Sequence, residues 1–141
     1  MNTAIFYGSP RDDEELMVSF RPSTLARRAA QRQFDAYNRG DIDAFAAAYS
    51  DDVVFIDKET EQVLCSGKAE LIEKYGKLFA ENPSLRCELI SRTSTGSFVY
   101  DEERVTGHPI GKIVHAMATY HVNDEGLIDR VWITKEIEEA I

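Results

Sequence analysis

Cysteine, basic charge and long apolar runs are all in short supply in this chain, and each shortage closes off a class of protein. Two cysteines, Cys65 and Cys87, in 141 residues are too few for a disulfide framework and fall in no metal-ligand spacing, so free thiols in a reducing compartment are expected. Sixteen basic residues against 25 acidic ones give a formal charge of -9. Phosphate backbones and anionic lipid surfaces would be repelled, which argues against nucleic acid and membranes as partners. No run of about 18 apolar residues is present to span a bilayer. The opening MNTAIFYGSPRDDEE places acids where a secretory signal needs a basic stretch and an apolar run, so the expected location is cytoplasmic. Glycine-rich phosphate loops and serine–histidine nucleophile patterns are also missing. His115 and His121 share a strand face but lie about 20 Å apart along it, too far for one metal. No cofactor and no metal are expected.

What is present is enough for one well-packed domain. The chain is 43% hydrophobic, and at this length a single core can form without staples or metals. Residues 1–22 read as an arm carrying short apolar patches at Ile5 to Tyr7 and Met17 to Phe20. The domain proper is expected over 23–141.

Ser23 or Thr24 can cap a helix that Gly40 stops. At 100° per residue, Leu25, Ala26, Ala29, Ala30, Phe34, Ala36 and Tyr37 share half of its surface. Gln33 falls near the middle of that apolar half, an amide that must find partners if buried. Asp41 caps a second helix with Ile42, Phe45, Ala46 and Tyr49 on one side, ended by Ser50-Asp51-Asp52. Val53 to Lys58 reads as a strand, Val63 to Cys65 as its return, and Ser66-Gly67 opens a third helix ended by Asn82-Pro83. Four strands follow, near 85–93, 98–106, 112–122 and 127–135. Helices early and long strands late predict an α+β fold, in the order α-α-β-β-α-β-β-β-β, with helices on one face of a curved, mostly antiparallel sheet.

Alternation assigns the strand faces. Val114, Ala116, Ala118, Tyr120 and Val122 look like core, and the alanines leave room under the helices. Leu127, Asp129, Val131 and Ile133 should face the same way. The opposite face carries Ile113, Met117 and Trp132, too apolar for free solvent, and a homodimer formed sheet to sheet is expected through Met117 and Trp132. Asp57 continues the Val53–Phe55 face, so its carboxylate lies either at the strand end, in water, or in a cavity. On the strand 98–106, Tyr100, Glu102 and Arg104 oppose Asp101, Glu103 and Val105; a solvated charged edge is the preferred reading, and the inward set is left open.

The helix end Tyr37-Asn38-Arg39-Gly40-Asp41-Ile42-Asp43, the following Tyr49-Ser50-Asp51-Asp52-Val53 and the closing Tyr120-His121-Val122-Asn123-Asp124-Glu125-Gly126-Leu127-Ile128 resemble the nuclear-transport-factor-two-like superfamily, within it the SnoaL-like and ketosteroid-isomerase-like proteins. The resemblance runs from Ser23 to Lys135 and implies a cone-shaped α+β barrel around a small-molecule pocket. Ketosteroid isomerases use an aspartate base with a tyrosine and a protonated aspartic acid as oxyanion donors. Against that pattern the base falls on Asp57, the tyrosine on Gln33 and the donor acid on Ala118. Losing an oxyanion donor costs about a hundred- to a thousandfold in rate, which argues against steroid isomerisation itself. The resemblance therefore implies a cofactor-free isomerase or lyase with Asp57 as general base on a carbonyl or hydroxy substrate, or a non-catalytic binding or dimeric interaction module of the same fold. Gln33, Phe55, Tyr37, Tyr75, Tyr100, Ala116, Ala118 and Val131 are the expected ligand contacts.

Overall fold

The computed structural model describes residues 23–138; the expected arm, residues 1–22, lies outside them. Helix α1, Thr24–Arg39, ends at Gly40, where the Gly40 and Asp41 amides return to the Tyr37 and Ala36 carbonyls and satisfy its last orphan acceptors. Asp41 caps α2, Ile42–Ala47, by accepting from the Ala44 amide at 3.0 Å. The strands are β1 (Tyr49–Asp57) and β2 (Val63–Ser66), then, after α3 (Lys68–Glu81), β3 (Arg86–Thr95), β4 (Phe98–Thr106), β5 (Val114–Val122) and β6 (Ile128–Ile137).

These strands form one open six-stranded sheet in the order β2-β1-β6-β5-β4-β3. Every neighbouring pair is antiparallel except β1 and β6, which run parallel. The three helices pack on one face, as the predicted element order requires. Edge strand β3 is secured by α1: Asn38 donates to the Cys87 carbonyl at 2.9 Å and accepts from the Cys87 amide at 2.7 Å, occupying backbone groups that an edge would otherwise expose. No helix among the described residues is long and apolar enough to cross a membrane.

Between helices and sheet lies an aromatic cluster. Phe45 contacts Tyr37, Tyr49, Tyr75 and Phe79, with ring centroids 4.9 to 6.1 Å apart; burying each such ring stabilises the fold by about 2–3 kcal/mol. Leu71, Val53, Val99, Ile128 and Val131 are fully buried around it.

Three sequence expectations need correction. Tyr49 and Ser50 belong to β1 rather than to the end of α2, because the Ala48 carbonyl already accepts from the Ile128 amide of β6 at 2.9 Å. Ile128 is core, not outer face: Val122 pairs with Ile128 but His121 pairs with Arg130, so Asp129 is an inserted residue that resets the alternation. Leu25, placed on the buried side of α1, is 42% exposed.

Candidate functional site

A cavity of about 290 Å³ opens between α1, α3 and the inner face of the sheet, within reach of the smallest ligand pockets. Its apolar wall is Tyr37, Phe45, Phe55, Leu64, Tyr75 and Leu78, and its floor is Ala116, Ala118, Val131 and Ile133. The alanines at 116 and 118 do what their size suggested: two short side chains leave the sheet's concave face hollow. Phe55, Tyr37 and Tyr75 border the hollow without filling it.

At the α1 side lies Gln33, 4% exposed, and both ends of its amide are hydrogen-bonded. Nε2 donates to the Ala30 carbonyl at 3.0 Å and to the Tyr120 hydroxyl at 3.2 Å, while Oε1 accepts from the Tyr49 hydroxyl at 3.3 Å. The Ala30 carbonyl is an acceptor only, which fixes which end of the amide is which. Tyr120, accepting from Gln33, directs its own proton to the Glu103 carboxylate. Burial raises the pKa of Tyr49 and Tyr120 well above the ordinary value, so both stay protonated.

The acid in this cavity is Glu103, not Asp57. Glu103 is 9% exposed, and its pKa is pushed up to about 7, first by burial and next by the neighbouring Asp101 charge; Arg92, Lys135 and the Tyr120 hydroxyl pull the other way. Asp101 is fully buried and stays paired: Arg92 clasps it with two bonds, Nε to Oδ1 at 2.8 Å and Nη2 to Oδ2 at 2.9 Å. A fixed anion two residues away on the same strand face thus helps raise the Glu103 pKa toward neutrality. Cys87 also lines the cavity, its thiol pushed up by burial and by Glu103, and is inert as a nucleophile.

Of the expected contacts, Gln33, Tyr37, Phe55, Tyr75, Ala116, Ala118 and Val131 all border the cavity. Two do not. Asp57 sits at the strand end with Oδ1 accepting from the Glu59 and Thr60 amides at 2.9 and 3.0 Å, and these bonds, Thr60's foremost, hold its pKa below the ordinary value. Its carboxylate caps a turn, the competing reading of a strand-end acid. Tyr100 is 39% exposed on the outer face, stacked 6.4 Å from Phe98. The inward set of β4 is instead Val99, Asp101, Glu103 and Val105. A signal for this was present: the two valines share the parity of the two acids, which marks that side as core. Lys135 and His108, which also line the cavity, carried no such signal.

The sequence profile of the SnoaL-like domain matches residues 30–131, well over half the chain. The chain belongs to the SnoaL-like domain family. No curated protein matches its sequence. Solved structures similar to this SnoaL-like domain include a cystatin-fold protein from Novosphingobium aromaticivorans, 23% identical over 77% of this chain and 97% of that one, with a TM-score of 0.70. A candidate ketosteroid isomerase from Kribbella flavida is 21% identical over 83% of this chain and 80% of its own, TM-score 0.65. A candidate SnoaL-like polyketide cyclase from Jannaschia sp. CCS1 is 18% identical over 84% and 92%, TM-score 0.66. At these identities the likeness establishes the shared fold.

Proposed function

We propose that this SnoaL-like domain is a cofactor-free acid–base enzyme of isomerase or lyase type. It takes a small carbonyl or hydroxy compound into the cavity, and Glu103 moves the proton. The observation that carries this reading is a buried carboxyl with a pKa pushed up to about 7 that borders a ligand-sized hollow. Such a group is half ionised near neutrality, able to remove a proton and return it, where an ordinary glutamate would be too weak a base. The Tyr120 hydroxyl accepts from Gln33 and donates to the Glu103 carboxylate, and once Glu103 takes up a proton the hydroxyl can turn to an oxygen on which charge develops. The similar structures named as a candidate isomerase and a candidate cyclase support chemistry of this kind in the fold.

One observation favours a second reading, a binding module without turnover. Both Gln33 donors are spent inside the protein, so the amide has no proton to offer a substrate oxygen unless Tyr120 lets go. Proton exchange separates the two. In deuterated buffer, with a panel of 2-oxo and 3-oxo acids, ketones and 3-hydroxy acids followed by NMR, the wild type should exchange hydrogen beside a carbonyl. Glu103→Gln should lower that rate about a hundred- to ten-thousandfold, and Asp57→Asn should leave it unchanged. The wild-type rate should rise through about pH 7 as Glu103 loses its proton. Binding with no exchange by the wild type would establish the binding module; loss of exchange in Asp57→Asn alone would return the base to that position.

A further inference from the structure

Three residues share one row across the sheet. Glu103 on β4 pairs with Ala116 on β5, and Ala116 pairs with Lys135 on β6. All three border the cavity. With strands about 4.8 Å apart, the backbones of Glu103 and Lys135 stand about 10 Å from each other with only a methyl group between. That is room for a short carbon chain lying over Ala116, an acid at one side and an amine at the other. The Lys135 residue keeps surface in solvent at the cavity mouth, but burial lowers the pKa of its ammonium and the Glu103 charge pulls it back up; no carboxylate among the described residues comes within 4.0 Å of its nitrogen, Glu103 included.

His108 is the second group at this mouth. It follows Gly107, whose position is set by close packing against the Ser84 backbone. The Ile110 amide donates to Nδ1 of His108 at 3.2 Å, so the ring's own proton is carried on Nε2 and is free to donate. Burial, and next the nearby Lys135 charge, lower the pKa of His108, which keeps that tautomer neutral. An ammonium and an imidazole N–H at one end of an apolar hollow are complementary to a carboxylate group.

We propose that the cavity selects organic carboxylates, receiving the anionic group at its mouth on the Lys135 ammonium and the His108 Nε2–H while the carbon chain lies over Ala116 and Ala118 beside Glu103. This deepens the ligand-cavity reading above and rests on it. It also places the carbon next to Glu103 a short distance along the chain from the carboxylate, so the substrates that fit are short oxo or hydroxy acids rather than neutral ketones.

Binding measured by calorimetry near pH 6 tests it without requiring turnover. At that pH simple carboxylic acids are ionised and Glu103 is mostly neutral, so it does not repel them. The probes are straight-chain acids from butanoate to decanoate and 3-phenylpropanoate, each beside its primary amide. The wild type should bind the best acid about tenfold or more tighter than its amide. Lys135→Met should abolish that preference by weakening the acid while leaving the amide unchanged. Lys135→Arg should restore it, and His108→Ala should reduce it. Acids and amides binding the wild type alike, or a preference that survives both Lys135→Met and His108→Ala, would overturn the anion site and leave the cavity reading intact. No binding by any probe would bring down both.

Discussion

Glu103 has a consequence for folding as well as for chemistry. Below its ordinary pKa of 4.5 the carboxyl is protonated in folded and unfolded chains alike. Above that the unfolded chain releases the proton, while the folded chain holds it until about pH 7. The folded state then binds more protons, so stability falls as pH rises from about 4.5 to about 7 and levels off beyond. A shift of that size corresponds to about 3 kcal/mol. Glu103→Gln removes the titrating group and keeps the shape. It should match the wild type near pH 4.5 and exceed it by up to about 3 kcal/mol at pH 8, read from urea denaturation at the two pH values. A constant difference across pH would mean that the carboxyl is not buried as described. The sequence exposed Gln33 because a lone amide on an apolar helix face stands out. It concealed Glu103 because both sides of β4 carry acids, and only the tertiary pairing of Asp101 with Arg92 makes an inward charge tolerable.

Helix ends were the most legible elements, since Gly40 and Asp41 announce their roles through local backbone chemistry. Less legible were features set by distant partners: the start of β1, drawn forward by β6, and the insertion at Asp129. The turn between β4 and β5 belongs with these. A β-carbon at Gly107 would run into the Ser84 carbonyl oxygen and lie 2.8 Å from the Leu85 amide nitrogen, and the contact is with backbone, which cannot swing aside. The φ of +72° adds strain for any other residue. Gly107→Ala should therefore destabilise the protein by about 2–4 kcal/mol. Gly111, with a similar φ but open space around it, is the control: Gly111→Ala should cost about 1–2 kcal/mol. Equal losses in thermal or urea unfolding would show that the Ser84 contact yields. Because this turn carries His108, Gly107→Ala should also blunt the preference for carboxylates where the variant still folds.

The molecule as a whole presents two sheet faces with opposite fates. One is roofed by helices and holds the cavity; the other gathers Phe98 against Tyr100, His121 and Trp132, with centroids 4.9 to 6.4 Å apart, and leaves Met117 47% exposed beside them. Arg130 lies 6.0 Å from the Trp132 ring, and His115, Glu102 and Arg104 form ion pairs around the margin. An apolar centre with a charged rim is the anatomy of a protein interface, and we propose that a second copy covers it. Two chains of charge -9 repel each other at long range, so the attraction must come from apolar contact, and salt should tighten the pair by screening the repulsion. Light scattering at micromolar concentration should give twice the chain's mass, maintained or strengthened on going from low to high salt. Met117→Asp should reduce it to one chain while leaving carboxylate binding intact, because the cavity is on the other side of the sheet. A wild-type mass of one chain at either salt concentration would remove the dimer. A mass of two that dissolves in high salt would mean that the marginal ion pairs, rather than Met117 and the aromatic centre, hold the copies together.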